Sequence, residues 1–321
     1  MNLLFKLIRI LTFDYRPWRK KNTLTVFLFH SINDSTQTFY PSISIETFVR
    51  TCEFIKKNYK VIHFQEVENN FSNQTQPAAV ISFDDGMKDI VTVVLPIMKK
   101  LGLKFNINID TEILETNKPQ RFIQVYDILN YGRKKDSYFY ALFMNSPITI
   151  NYSAPHLTEA EFTKLLSNLS VEQKDSLIQN MIETFEFNTS NFTKVISIHD
   201  LIDLGKEKLV EIGSHSHTHP DFSTLHEQEL IYEMKHSKNT LEKLIQKKVD
   251  IIAYPNGITS ESIDLHAKRC GYRILLKTND QINTINNNTT SFYRIHEYHN
   301  NVELLLAHSY GILNKLKKVL R

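Results

Sequence analysis

Short apolar runs separated by helix-length amphipathic stretches recur along most of the chain, and this alternation constrains the fold more than any other feature. The strand-like runs are LTVFLF (24–29), KVIHF (60–64), AVISF (79–83), KFNINI (104–109), KLVEIG (208–213), DIIAYP (250–255), YRILLK (272–277) and FYRIHEY (292–298). Helical periodicity predicts helices over 44–58, 87–101, 225–246, 260–270 and 302–320. Thr224 or Ser223 can cap the third of these and Ser260 the fourth. Seven or eight strands with helices between them imply an α/β fold, either a (β/α) barrel or a doubly wound sheet.

The rhythm breaks between about 110 and 205. Helical patterns (126–140, 157–187) and polar turns fill that stretch, which reads as a mostly helical insertion between two core strands. Insertions at strand ends are where such folds build substrate specificity.

Composition excludes several classes. With 41% hydrophobic and 23% charged residues the chain is an ordinary globular protein. A net charge of +3 is too small to argue for nucleic acid. Cys52 and Cys270, the only cysteines, read as buried thiols, too few for a disulfide framework or a thiolate zinc site. No run approaches the roughly 20 apolar residues of a membrane-spanning helix. The opening MNLLFKLIRILTF is interrupted by Lys6 and Arg9 and is not followed by a small-residue cleavage site, so the expectation is no signal peptide. Residues 1–23 read instead as a basic amphipathic segment ahead of one domain over 24–321. GILNKLKKVLR repeats the pattern at the other end. Two such ends suit peripheral contact with anionic lipid, although solvated helices packed on the domain would look the same.

Three segments carry the chemistry. In ISFDDGMKD a strand runs into Asp84, Asp85 and Gly86. Adjacent aspartates inside a strand face opposite ways, but at a strand end Gly86 permits a turn that leans both into one pocket. One carboxylate can then bind a cation while the other abstracts a proton, although Asp beside a helix start is also favoured by the helix dipole alone. EIGSHSHTHPDFSTL places His215, His217 and His219 after a strand, and neutral imidazoles are preferred ligands of zinc-like ions. IIAYPNGITSES is a strand, then Tyr254-Pro255-Asn256-Gly257, then a helix, a turn whose backbone N–H groups can serve as an oxyanion hole.

Taken in order, these segments resemble the polysaccharide deacetylase family, the nodulation-protein-B-like carbohydrate esterases. ISFDDG matches that family's T-F-D-D-G-like strand end with Ser82 in place of threonine, and His215-Ser216-His217-Thr218-His219 matches its H-[ST]-x-x-H segment. The resemblance runs from about 24 to about 298 outside the insertion and implies a distorted (β/α)7 barrel. It implies a hydrolase that removes an N-acyl group, N-acetyl in the first instance, from an amino sugar. Carried over by position, Asp84 is the base, and Asp85, His215 and His219 hold a divalent metal, zinc first and Co, Mn, Ni or Fe as alternatives. His217 falls on a variable position and is expected to form part of the pocket wall or to back the ligands. Phe29-His30-Ser31 looks like the strand that opens the barrel in one branch, which sets His30 at the border of the site.

Two departures matter. Ala253 stands where many members carry an arginine that steadies the base, and Arg294 is the replacement to consider first. The family's late L-x-H motif, whose histidine protonates the leaving amine, matches Leu306-Ala307-His308 by letters only, with His296, His299 and His30 as competitors. Asn256 is the expected backbone donor to the oxyanion. The expected substrate is a lipid-linked or nucleotide-linked amino sugar met in the cytoplasm, with peripheral contact at the inner membrane face through the basic termini. The alternatives are a phosphoesterase of the polymerase-and-histidinol-phosphatase type, suggested by His215-x-His217, and a catalytically inactive carbohydrate-binding relative.

Overall fold

A computed structural model describes residues 22–34, 42–67, 76–133, 166, 169–286 and 289–296. Seven parallel strands form its centre: β1 (Thr23–Phe29), β2 (Ala78–Phe83), β3 (Phe105–Ile109), β4 (Val210–Ser214), β5 (Ile251–Ala253), β6 (Ile274–Thr278) and β7 (Ser291–His296). Each pairs with the next, and β7 and β2 both pair with β1, which closes a seven-stranded barrel. The seam between β1 and β2 is continuous from Leu24↔Ala78 to Phe29↔Phe83, whereas β4 and β5 share only Ser214↔Ile252. This uneven pairing makes the (β/α)7 barrel a distorted one. The KVIHF run yields a strand only at Lys60–Val61; the chain then turns through a 3-10 helix at Phe64–Glu66, whose Phe64 ring packs 5.5 Å from that of Phe292.

Strand sequences are almost wholly apolar because both faces are buried. Alternate residues point into the barrel: Leu24, Val26, Ala78, Val80, Ile251, Ala253, Leu276 and Phe292 form one apolar cluster with Ile62, Phe64 and Val67. The opposite faces meet the helices. Helix α1 (Ile45–Asn58), capped by Ser44 Oγ accepting from Thr47 N, buries Phe48, Cys52 and Ile55 at helical spacing. Phe48 sits 5.4 Å from Phe29 and 5.8 Å from Phe83, so truncating it to alanine would cost about 3–5 kcal/mol.

The predicted 87–101 helix is a π-helical turn at Ile90–Val94 followed by α2 (Leu95–Leu101), which Gly102 ends at φ 64°. Among the described residues between β3 and β4 lie α3 (Glu112–Thr116), α4 (Arg121–Arg133), α5 (Val171–Phe185) and α6 (Ile198–Lys206). Helix α7 (Glu227–Ile245) is capped by His226 in a capping box with Glu229, one turn later than Ser223 or Thr224. Those two belong to a 3-10 turn held by Asp221. Ser260 caps α8 (Glu261–Arg269) through Ile263 N. The basic segment at 1–21 and the 302–320 helix lie outside the described residues, as do His299 and His308.

Candidate metal and hydrolase site

The C-terminal ends of the strands form one mouth, and the chemistry-bearing residues are there because each lies at or just past a strand end. Asp84 follows β2, His215 follows β4, Tyr254 follows β5, His30 follows β1, and Arg294 and His296 end β7. Strand alternation explains why Ser82 and Asp84, Asn106 and Asn108, and Arg294 and His296 share the interior. A cleft of about 360 Å³ opens onto them. It is lined by His30, Asp84, Asp85, His215, His219, Asn256, Arg294 and His296 on the barrel and by Phe122, Val125 and Tyr126 of α4.

The two aspartates reach one pocket through backbone conformation. Asp85 itself adopts φ 71° and Gly86 φ 69°, so the left-handed turn starts one residue before the glycine. A Cβ on Gly86 would lie 2.7 Å from Ile113 Cδ1. His219 (φ 58°) and Asn256 (φ 56°) also take left-handed backbone, which non-glycine residues hold only where the surroundings enforce it.

Asp85 Oδ1 lies 3.5 Å from His215 Nε2 and 3.6 Å from His219 Nε2. A tetrahedral zinc with nitrogen and oxygen ligands at 2.0–2.1 Å sets donors roughly 3.3–3.4 Å apart; both histidines stand close to that spacing from the carboxylate, and all three donors lie within 4.8 Å of one another. The His215 ring is oriented by its Nδ1, which lies 2.8 Å from Ala253 O; an N–H there leaves Nε2 as the lone-pair donor. Burial first, then the neighbouring His215, hold His219 well below the usual histidine range, so its imidazole is neutral as a ligand must be.

Asp84 stands beside this trio, with Oδ2 3.7 Å from His215 Nε2. Its Oδ1 accepts from Arg294 Nη1 at 2.7 Å and from Asn108 Nδ2 at 2.8 Å. Burial opposes ionisation of Asp84, and the Arg294 guanidinium outweighs it, holding the carboxyl well below the usual carboxylate range. Ala253, where the resemblance places an arginine, is fully buried in the barrel interior, and the cation comes from β7 instead.

His30 and His296 stack with ring centroids 5.7 Å apart and planes 4° from parallel. Burial, partly offset by Asp84, pushes the His30 pKa down to about 3, so it is a neutral imidazole. His296 is a quarter exposed, with Nδ1 4.0 Å from Asp280 Oδ1. Asn256 is exposed at the tip of the Pro255–Gly257 turn. Gly257 (φ 67°) beside it has no room for a side chain, since a Cβ would meet that of Thr278 at 2.5 Å. His217 leaves this constellation: its Nδ1 lies 2.9 Å from Thr111 Oγ1. His215 and His217 therefore do not act as the paired ligands that the phosphoesterase reading requires.

Asn108, Asp110, Gln120 and Glu233 are site residues that sequence reasoning missed. Gln120 donates to Asp85 O at 2.9 Å and to Asp110 Oδ2 at 2.5 Å. Burial, then the Asp85 carboxylate, hold the Asp110 carboxyl well above the usual range. Glu233 accepts from His217 N and Thr218 N and fixes the histidine loop. The signal for two of them was present: in FNINID, polar residues recur every second position of an otherwise apolar strand.

The sequence model of the polysaccharide deacetylase family matches residues 167–275, which hold the histidine loop and the Asn256 turn. Over those residues the chain is similar to the polysaccharide deacetylases. The matched stretch excludes Asp84, Asp85 and Arg294, which the barrel brings to it. A search of curated proteins by sequence finds no match. Solved structures agree on the fold. The Streptococcus pyogenes deacetylase PplD, in complex with acetate, is 19% identical with a TM-score of 0.59, over 89% of this chain and 98% of that one. IcaB from Ammonifex degensii is 12% identical with a TM-score of 0.58, over 90% and 97%. A de-N-acetylase from Aggregatibacter actinomycetemcomitans is 16% identical with a TM-score of 0.56, over 85% and 94%. At these identities the likeness is one of fold, and it matches the seven-stranded deacetylase barrel.

Proposed function

We propose that this deacetylase-family barrel hydrolyses the N-acyl group of an amino sugar, N-acetyl in the first instance, with a divalent ion held by Asp85, His215 and His219. The carrying observation is the convergence of those three donors beside a buried, ionised Asp84. An ion held there supplies Lewis acidity, lowering the pKa of bound water and polarising the acyl carbonyl. Its donor set suits zinc, with Co, Mn, Ni or Fe as alternatives.

The chain's own residues do the rest. Asp84, oriented by Arg294 and Asn108, takes a proton as water adds to the amide carbon. The backbone N–H of Asn256 is the donor we assign to the developing oxyanion, since Pro255 has none and the Gly257 N–H is bonded to Tyr254 O. The C–N bond then breaks, the sugar nitrogen takes a proton from a histidine, and a carboxylic acid and a free amine leave. His296 is the donor we assign, because it faces the cleft and has the Asp280 carboxylate near its other side; neutral His30 stacks against it. The apolar wall from α4 leaves room for the acyl group and excludes water.

The substrate class we infer is a lipid-linked amino sugar of surface polysaccharide or glycolipid assembly, with a nucleotide-linked sugar as the alternative, met on the cytoplasmic side. Basic amphipathic character at 1–23 and 311–321 supports contact with an anionic membrane face. Among the described residues no helix is long and apolar enough to cross a membrane.

The test is to incubate the zinc-loaded protein with acylated amino sugars in free, nucleotide-linked and lipid-linked form, following released acetate or formate by NMR. Acid release that disappears on chelation and returns with zinc is the expected result. No release from any of them would overturn the reading. Recovery of the protein in periplasm or medium would overturn the cytoplasmic assignment.

A further inference from the structure

The three histidines of the loop after β4 do not share one task. His215 and His219 turn into the cleft. His217 turns the other way, toward α3 and α7, where Glu115 and His236 meet it. One donor atom from each of Glu115, His217 and His236 lies within 4.8 Å of the other two. None of the three lines the catalytic cleft.

We propose that Glu115, His217 and His236 form a second site for a divalent transition-metal ion, on the outer side of the loop that carries His215 and His219. Two imidazoles and a carboxylate are a borderline-soft donor set that suits zinc, nickel, cobalt or copper over magnesium or calcium.

The central donor is held in advance. His217 is buried, its backbone N–H donates to Glu233 Oε2 at 2.8 Å, and its carbonyl accepts from Glu112 N at 3.0 Å. Ser216, at φ 79°, turns the chain so that residue 217 faces opposite to 215. Thr111 Oγ1 on the ring Nδ1 sets the imidazole plane, as outer-shell partners of metal-bound histidines do. The His236 ring lies 4.3 Å from that of His217 and stacks on Tyr232, and its Nε2 is 3.3 Å from Glu115 Oε1.

The other two donors can close. Tetrahedral coordination needs donors roughly 3.3 Å apart, and Glu115 and His236 have side chains 51% and 34% exposed. They are free to rotate inward, and the same exposure gives an ion a path from solvent and leaves water to complete its shell. An ion bound there ties α3, α7 and the histidine loop together, and it stabilises the folded state by mass action.

Stoichiometry decides it. The full chain is stripped with a chelator and titrated with Zn²⁺ by calorimetry, with bound metal counted after gel filtration and folding checked by circular dichroism. Wild type is expected to hold two ions. His236→Ala should hold one, and so should His215→Ala, which keeps the outer site while losing the cleft site. Thr111→Val, which leaves all three donors, should weaken one of the two binding events by about 10–100-fold. Wild type saturating at one ion, or His236→Ala still holding two, would overturn the proposal. Because His215→Ala and His236→Ala empty different sites, failure of the cleft assignment and failure of this one give different patterns.

Discussion

Arg294 Nη1 donates to Asp84 Oδ1 at 2.7 Å across 210 residues of sequence, and both side chains are almost fully buried. The pair joins the last barrel strand to the second across β1, so the ionised state of the proposed base depends on closure of the barrel. Removing one partner of a buried pair leaves the other as an uncompensated charge, at a cost of about 3–5 kcal/mol.

Arg294→Met should therefore lower both Tm and kcat, with KM changed far less, because Asp84 is disoriented while the cleft wall stays. Arg294→Lys restores a charge but not the fixed planar donor, and should recover only part of the rate. Steady-state kinetics with thermal melts check this; a Met variant of unchanged kcat would show that Arg294 does not serve the base.

Asp84→Asn should keep its metal and lose about 10²–10⁴-fold in rate, the usual contribution of a general base. Metal content measured beside kcat separates the roles of the two aspartates. If the variant loses its metal, Asp84 is a ligand.

His215→Ala or Asp85→Ala should abolish both cleft metal and activity, and chelation of wild type should do the same reversibly. A His215→Ala protein that keeps full activity would reject the ligand set.

Gly257→Ala should lose more than about 1 kcal/mol, since φ 67° and the Thr278 contact at 2.5 Å both oppose a side chain. Displacing that turn moves the Asn256 backbone out of the cleft, so kcat should fall with stability. Denaturant titration and kinetics on the same sample test both.

Glu211, at the far end of the barrel from the cleft, has its pKa raised by burial from 4.5 to about 7, although Phe64 N and Gln65 N donate to its carboxylate. The folded state thus binds a proton that the unfolded chain has released. Its contribution to stability is fully present below pH 4.5 and is lost as pH rises through about 7, by at most about 3 kcal/mol. Denaturation midpoints across that window should fall with pH in wild type more than in Glu211→Gln. Parallel curves would show that Glu211 has no such shift.

Local sequence was enough for what local physics controls. Runs such as AVISF and KFNINI announce strands buried on both faces, and Ser44 and Ser260 announce helix starts; Asp84-Asp85-Gly86 and the pairing of His215 with His219 became readable as a site only through the family resemblance. The same resemblance, with Ala253 where an arginine is expected, made Arg294 the replacement to consider first. It could not show that Arg294 reaches Asp84, that Asn108 shares the same oxygen, or that Gln120 links Asp85 to Asp110. Period-two alternation says which residues share a face, but not whether that face lines the barrel or meets a helix. Pairing of β2 with β3 sets Asn108 beside Asp84, and closure of β7 and β2 onto β1 brings Arg294 to them. The turn at Asp85 was placed one residue late for the same reason: its left-handed backbone is enforced by packing around Gly86, not by the preference of an aspartate. His217 shows the limit most clearly, since three evenly spaced histidines look alike in sequence, and only the φ of 79° at Ser216 and the bond to Thr111 send the middle one out of the cleft.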